Sequence, residues 1–495
     1  MALKREYGGI QPCIRAGIFR IRIPFIHFKI SPPEIVTGLM NACTSYGALA
    51  VLITTLGLDP EVAWALVVFE TAMYTLNWLL GEPSICGWIT PAMAIMVLFL
   101  ETLPEGVARL QALTAIQLEL GLLFIILGFT GLSKKLNTLV PPALKAGIVL
   151  GAGINAVVSR LKEGGATDTM TIACICGLVV VCLFMFSQRV RNKMNSNKVL
   201  SFMGNYSFLW AVIVLFLVGG LSGEVQYNFS GEIFKVPDFM GLFMAVCPFF
   251  IGFAEPSVWL MALPYALTAW IIAYGDFVTV QELGMSSVRE DEHIEFDANR
   301  TNVICGIRNV ILALFAPYPA LAGPLSAPYC IATYARYKQD GREGMDSIYD
   351  GSGTNLIFTV VGLFIFPLYE ASLAASAALL VVILVVQGWA CATIAFGLME
   401  GREVLDKGIA GMCAGFFVAR GAQIALPAAI AFYLIIANNQ KIREDYAWNK
   451  DHQRIEDEET ARQLEALRIR MEALKSGAIV DDEDLQKASK RMCLI

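Results

Sequence analysis

Two short stretches carry residues spaced for chemistry. "PSICGWITP" (83–91) and "PALAGPLSAP" (319–328) each place a glycine four residues after a proline and a hydroxyl seven after it, with a further proline one or two residues on. Both lie within apolar sequence, where an unpaired N–H or C=O is costly unless protein or a polar cavity satisfies it. A helix that restarts at such a break presents free N–H groups and roughly half a positive elementary charge. Two such ends facing each other favour a solute with anionic or hydrogen-bond-accepting edges. The substrate-binding candidates are therefore Ser84, Cys86, Gly87 and Thr90 in the first stretch, and Gly323, Leu325 and Ser326 in the second.

A carboxylate completes the set. Asp276 interrupts the apolar course of "LTAWIIAYGDFVTV", and an acid inside a membrane span is costly enough to mark function. It is the coupling candidate, for a sodium ion or a proton, with Thr279 offering a second oxygen one turn on; its alternative roles are to accept hydrogen bonds from the substrate or to cap the span end. No metal site is expected beyond sodium at Asp276. Secondary candidates are Glu34, Glu70, Glu119, Arg308 and Asn309. Glu70 and Glu119 either carry a proton or bond another span, and the structural role is favoured. Arg308 either attracts an anion or joins a structural ion pair, again with the structural role favoured, whereas Arg300 reads as interfacial.

The elements that position these residues follow from hydropathy. The chain has 495 residues, of which 56% are hydrophobic and only 16% charged, where a soluble domain carries about a quarter charged. Apolar runs recur from about residue 33 to about 440, giving about fourteen segments of an all-α polytopic membrane protein. The two proline-led stretches fall third and tenth in that count. Seven is odd, so the second copy runs inverted across the membrane, and matched broken helices in an inverted repeat point to a secondary transporter. Basic clusters at Lys4–Lys29, Lys134–Lys135, 188–198, 335–344 and 441–450 all fall on one side, which predicts cytoplasmic termini. The opening residues lack an early apolar core, so no cleavable leader is expected. The twelve cysteines read as small hydrophobes.

At these residues the sequence resembles the nucleobase–ascorbate transporter family, which includes xanthine and uracil permeases, and more distantly the SulP anion transporters of the same superfamily. "PSICGWITPAMAIM" is similar to the family's third span, "LVPPALKAGIVLGAGINAV" (139–157) to its fifth, and Trp259 through Asp276 to its eighth. "GIRNVILALFAPYPALAGP" resembles the ninth-to-tenth junction in its SulP form. Leu325-Ser326 stands where the permeases carry an acid or amide followed by Asn, and Glu34-Ile35 where they carry Gln-His.

The resemblance implies a seven-plus-seven inverted repeat with core and gate domains. It assigns residues 1–30 to an interfacial cytoplasmic segment, 31–135 and 236–372 to the core (spans 1–4 and 8–11), 136–235 and 373–440 to the gate (spans 5–7 and 12–14), and 441–495 to a charged helical tail. It also implies a homodimer through the gate. In that tail Leu464, Leu467, Met471 and Leu474 sit at a/d spacing, expected to pack on the membrane domain or its dimer mate.

The function expected is proton- or sodium-coupled symport of a small planar or anionic solute by alternating access, in a bacterial inner membrane. The alternatives are SulP-like anion transport or exchange, and a passive anion channel. An enzyme is not expected, since His27, His293 and His452 lie outside the spans and no nucleophile–base pair is apparent. No cofactor, nucleic-acid partner or ATP-binding loop is expected.

Overall fold

The computed structural model describes residues 3–159, 161, 165–194 and 197–476. Six of its helices are long and apolar enough to cross a membrane: Pro32–Thr54, Pro60–Leu79, Val107–Thr130, Pro256–Phe277, Ser376–Leu398 and Val404–Ile436. Shorter apolar helices at Thr90–Leu100, Pro142–Val158 and Ser207–Ser222 fill the intervals, with Thr171–Phe186, which is bent by 54° against Gln188–Met194. Ala298–Phe315, Ala327–Gly344 and Ile348–Gly362 complete the series.

The last apolar helix is two segments. Gly421 has a left-handed φ of 65°, which L side chains rarely adopt. Arg402 and Asp406, just before and in the first turn of residues 404–420, meet Lys441 and Asp445 after residues 422–436, so the two halves fold back on each other. Counted this way the described helices form fourteen segments, as the hydropathy implies.

Prolines start many of these helices, although Pro264 and Pro427 lie inside theirs. Pro32, Pro60, Pro142 and Pro256 each open the first turn, where the missing N–H would be unpaired anyway and the fixed φ is already helical. The same rule governs the third segment, in which Pro91 is the second residue of Thr90–Leu100.

The packing repeats with a shift of seven. The first span lies along the eleventh, and correspondingly the eighth lies along the fourth. The fifth span packs on the twelfth and on the final hairpin. Glycines permit close approach: a Cβ on Gly121 would meet Val310, and one on Gly306 would meet Ile125, so the fourth and ninth spans touch backbone to backbone.

Both ends of the described chain lie on one face. Residues Gly9–Ile10 pair with Glu292–His293 just before the ninth span. Asn449 donates to the carbonyls of Thr138 and Val140, at 3.0 and 2.9 Å, just after the fourth span. The end of the fourth span abuts the start of the ninth, because Gly128 sits against the backbone of Asn299. The tail is one helix, Asn439–Ser476. The side chains of Leu464, Leu467, Met471 and Leu474 and all of residues 477–495 lie outside the described ones.

Candidate solute site between two half-helices

The third and tenth segments meet as extended chain. Residues Gly87–Trp88 and Ala322–Gly323 form a two-residue antiparallel pair, Gly87 opposite Gly323 and Trp88 opposite Ala322. Two flanking bonds extend it, Ile89 N–H to Leu321 O at 3.0 Å and Ser326 N–H to Ile85 O at 2.8 Å. Each broken helix thus satisfies the other's backbone, which is how irregular chain survives at this depth. Leu321 is held at a φ of 50°, strained for a residue with a Cβ and sustained by that pairing.

Side chains from neighbouring spans fasten the crossing from behind. Asn309 Nδ2 donates to Ala322 O at 2.8 Å while its Oδ1 accepts from Ala322 N–H at 3.0 Å, imitating a third strand. Gln117 donates to Asn309 Oδ1 at 3.3 Å and accepts from Tyr318 N–H at 2.8 Å. Asn77 donates to Ser84 O at 2.7 Å. Arg308, fully buried, donates to Gly323 O at 2.9 Å and Gly87 O at 3.4 Å, and its guanidinium lies 5.0 Å over the Tyr74 ring.

From the crossing the two helices diverge, Thr90–Leu100 to one side and Ala327–Gly344 to the other. Neither N-terminus receives a side-chain cap, although Ser326 occupies the cap position of the second. Orphan N–H groups and two positive dipole ends therefore converge on the space in front.

That space is a cavity of about 350 Å³. On the half-helix side its wall includes Thr44, Tyr74, Gly87, Thr90, Asp276 and Ser326. The opposite wall is Phe186 with Ile383, Gln387 and Trp389 of the twelfth span. The volume falls in the range of small-molecule sites, roughly 300–1,000 Å³. A second cavity, about 210 Å³, shares Asp276, Pro91, Gln387 and Ile394 with the first and reaches Trp448, Asn449, His452 and Gln453 of the tail helix. The path from the half-helices thus leads toward the face carrying the chain ends. Toward the other face the walls close, with Gly47 tight against Ile383 and Asn155 donating to Ala94 O at 3.0 Å.

Of the sequence candidates, Gly87, Thr90, Leu325, Ser326 and Asp276 come together on this cavity. Ser84, Cys86 and Gly323 lie behind the crossing: Ser84 Oγ bonds Pro324 O at 3.3 Å, and Cys86 points toward Tyr74 O. Asp276 sits roughly 30 Å along its helix, and the side chain of Thr279 lies outside the described ones. Glu34 is engaged elsewhere, paired with Arg336 at 2.5 Å and accepting from Thr37 and Thr333, each at 2.7 Å. Glu119 is partly buried and does not line the cavity.

One expectation is corrected. Arg308 joins no ion pair, since no carboxylate oxygen lies within 4 Å of it among the described residues; backbone carbonyls hold it instead. Arg300, in the first turn of the ninth span, is buried 2.7 Å from Glu82. Sequence reasoning passed over Asn77, Gln117, Tyr74 and the aromatic opposite wall. Asn77 and Gln117 carried a signal, being amides inside apolar spans, where polar side chains seek protein partners.

No protein-family model matches the sequence, and no curated protein does. Among solved structures, the transmembrane domain of a cyanobacterium bicarbonate transporter, BicA, matches 81% of this chain and 97% of its own at 15% identity with a TM-score of 0.51. The structure of SLC26A9 matches at 12% identity and a TM-score of 0.49, over 82% of this chain and 64% of its own. The murine Solute Carrier 26 family member A9 anion transporter, in the inward-facing state, gives 12% identity and 0.46, over 83% and 69%. The match to the bicarbonate transporter's membrane domain shows a shared fold.

Proposed function

We propose that this chain is a secondary active transporter of a small anion. One observation carries the reading: two uncapped half-helix N-termini face one cavity with the buried, unpaired cation Arg308 directly behind them. Both helix dipoles and Arg308 favour a negative solute at that wall, and the carboxylate there, Asp276, is offset when it holds the coupling cation or proton. The anion sits between Thr90 and Ser326, held by first-turn N–H groups and the two hydroxyls. The fold shared with a bicarbonate transporter supports the same class.

Alternating access follows from the two walls. Residues 31–135 and 236–372 act as a core that carries the half-helices and Asp276, and residues 136–235 and 373–440 act as the gate. The core slides or rocks against the gate, so that the cavity opens to one face and then to the other. With basic clusters on the face that carries the chain ends, that face is cytoplasmic and the state described is inward-open. Asp276, at the junction of both cavities, binds the coupling sodium ion or proton. The gate makes the contact of a homodimer in a bacterial inner membrane, as the permease resemblance implies, and no enzymatic step is involved.

A second reading has its own support. Phe186 and Trp389 stack at 4.6 Å on the wall opposite the half-helices, a surface suited to a planar ring. A nucleobase-like solute, as the permease resemblance implies, would lie against that face with its acceptor edges on the N-termini.

The test is uptake by purified protein in liposomes. Labelled bicarbonate, sulfate and uracil are offered with an inward sodium gradient, a proton gradient, or neither. Accumulation of an anion that collapses with one gradient supports the proposal. Accumulation of uracil alone favours the second reading, and gradient-independent equilibration indicates a channel.

A further inference from the structure

Behind the cavity wall lies an acid that the proposed transport cycle does not use. Glu70 is fully buried on the helix Pro60–Ala72; its Oε2 accepts from Thr71 Oγ1 at 3.3 Å, and the Trp88 and Tyr74 side chains also stand as donors toward the carboxyl. Its Oε1 makes no hydrogen bond of ordinary geometry. Three donors around it likewise make none: Arg308 Nε, Trp88 Nε1 and Tyr318 Oη. They come from three other elements, yet they form one neighbourhood. The Trp88 and Tyr318 rings lie 5.8 Å apart, Arg308 covers Tyr74, and Tyr74 lies one turn beyond Glu70.

Unpaired buried polar atoms are rare, and four at one place call for a reason. The charges supply one. Arg308 has no carboxylate within 4 Å among the described residues, and Glu70 is an acid whose charge bears on it across that gap. Among the described residues, the other titratable groups facing this spot are Tyr74 from the same span, Cys86 from the third segment, Cys305 from the ninth and Tyr318 from the chain leading into the tenth. An ionised Glu70 offsets the field of Arg308. A neutral one leaves that field acting through the strand pair on the half-helix ends. In a medium of low dielectric, opposite unit charges several ångströms apart still interact strongly. Tyr74 and Trp88 both line the cavity, so a single layer of side chains separates Glu70 from the solute.

We infer that Glu70 links proton binding to anion binding: a proton on Glu70 Oε1 frees the charge of Arg308 to hold the anion, and the arriving anion draws that proton in. The two effects are one coupling free energy, so the factor by which the proton raises anion affinity equals the factor by which the anion raises proton affinity. The proton comes from solution and adds to the carboxylate without breaking another bond. This rests on the anion reading of the site and adds to it a second titrating group beside Asp276, one that never touches the solute.

The test is titration calorimetry on the purified full-length protein with chloride, nitrate and sulfate, each run in two buffers of different ionisation enthalpy. For the wild type, the binding heat should differ between buffers by an amount that reports proton uptake. Affinity should fall up to about tenfold per pH unit on the alkaline side. Glu70→Gln should still bind, with the buffer difference and the pH slope both reduced by the share that Glu70 carries. A buffer difference in Glu70→Gln equal to that of the wild type, or one that disappears in Asp276→Asn alone, overturns the inference while leaving the anion reading intact. Absence of binding by all three anions overturns both. Infrared difference spectra of the wild type on sulfate addition give an arm that needs no Gln variant. A new protonated-carboxyl band, shifted in Glu70→Asp, is expected, and no such band contradicts the inference.

Discussion

Gly87 and Gly323 face each other across a two-residue strand pair, and neither has room for a side chain. A Cβ on Gly87 would come within 3.0 Å of Ser326 Cβ, and one on Gly323 within 3.0 Å of Ile89 N and Trp88 C. The contact at Gly323 is with backbone, which has no flexible end to move aside. Gly323→Ala should therefore cost about 1–3 kcal/mol, the usual range for overpacking, and Gly323→Leu should prevent the crossing from forming. Melting temperatures of the purified variants check this; a Leu variant as stable as wild type would show that the strands are not held this close.

Ser326 and Thr90 should tolerate small changes and reject large ones. Removing either hydroxyl, as in Ser326→Ala or Thr90→Val, forfeits about one hydrogen bond to the solute, roughly 0.5–1.5 kcal/mol. Ser326→Trp or Thr90→Trp fills the cavity and should stop uptake at matched expression. Wild-type uptake by both Trp variants would place the solute elsewhere.

Asp276→Asn should leave the protein folded and inserted but abolish gradient-driven accumulation, because the amide keeps the size and loses the charge that balances a cation. Uptake and melting are measured together. Wild-type accumulation with unchanged ion dependence removes Asp276 from the coupling role.

The tail supplies a pH prediction. Burial alone would raise the Asp445 carboxyl, but bonds from Tyr433 (2.7 Å), Lys441 (2.9 Å) and Arg402 outweigh it and hold the group below its ordinary value. A depressed folded value means the docking energy is fully present above the ordinary carboxylate range, near about 3.9. It is lost as pH falls through the depressed value. Segment 439–453 should resist pepsin until that acid range is reached. Asp445→Asn leaves Arg402 and Lys441 with Asp406 alone, a loss on the order of 1.5–3 kcal/mol as for a hydrogen bond to a charged group, and should expose the segment at neutral pH in hydrogen exchange. Equal protection in both proteins would mean that the ion cluster does not hold the tail.

How far the sequence could be read depends on the kind of contact. Matched Pro, Gly and hydroxyl spacings around Thr90 and Ser326 located both half-helices, because those residues act through local backbone geometry. Asp276 was legible as a charge in an apolar run. The strand pair itself was not, since Gly-Trp and Ala-Gly carry no strand pattern and pair only because the fold crosses them. Arg308 was visible as a buried cation, but its partners are carbonyls of Gly87 and Gly323, and carbonyls leave no residue-type signature. The clamp of Gln117, Asn309 and Tyr318 joins spans far apart in the chain, and the aromatic wall at Phe186 and Trp389 depends on how the two halves of the molecule pack. Hydropathy encodes neither.

The most direct test of the central claim is anomalous diffraction from crystals of the full-length protein soaked in selenate, an oxyanion heavy enough to be located. The account predicts a peak between Thr90 and Ser326, within hydrogen-bonding reach of the first-turn N–H groups of both half-helices, that disappears in Ser326→Trp. A peak in the wild type confined to other basic side chains, with none between the half-helices, would contradict it.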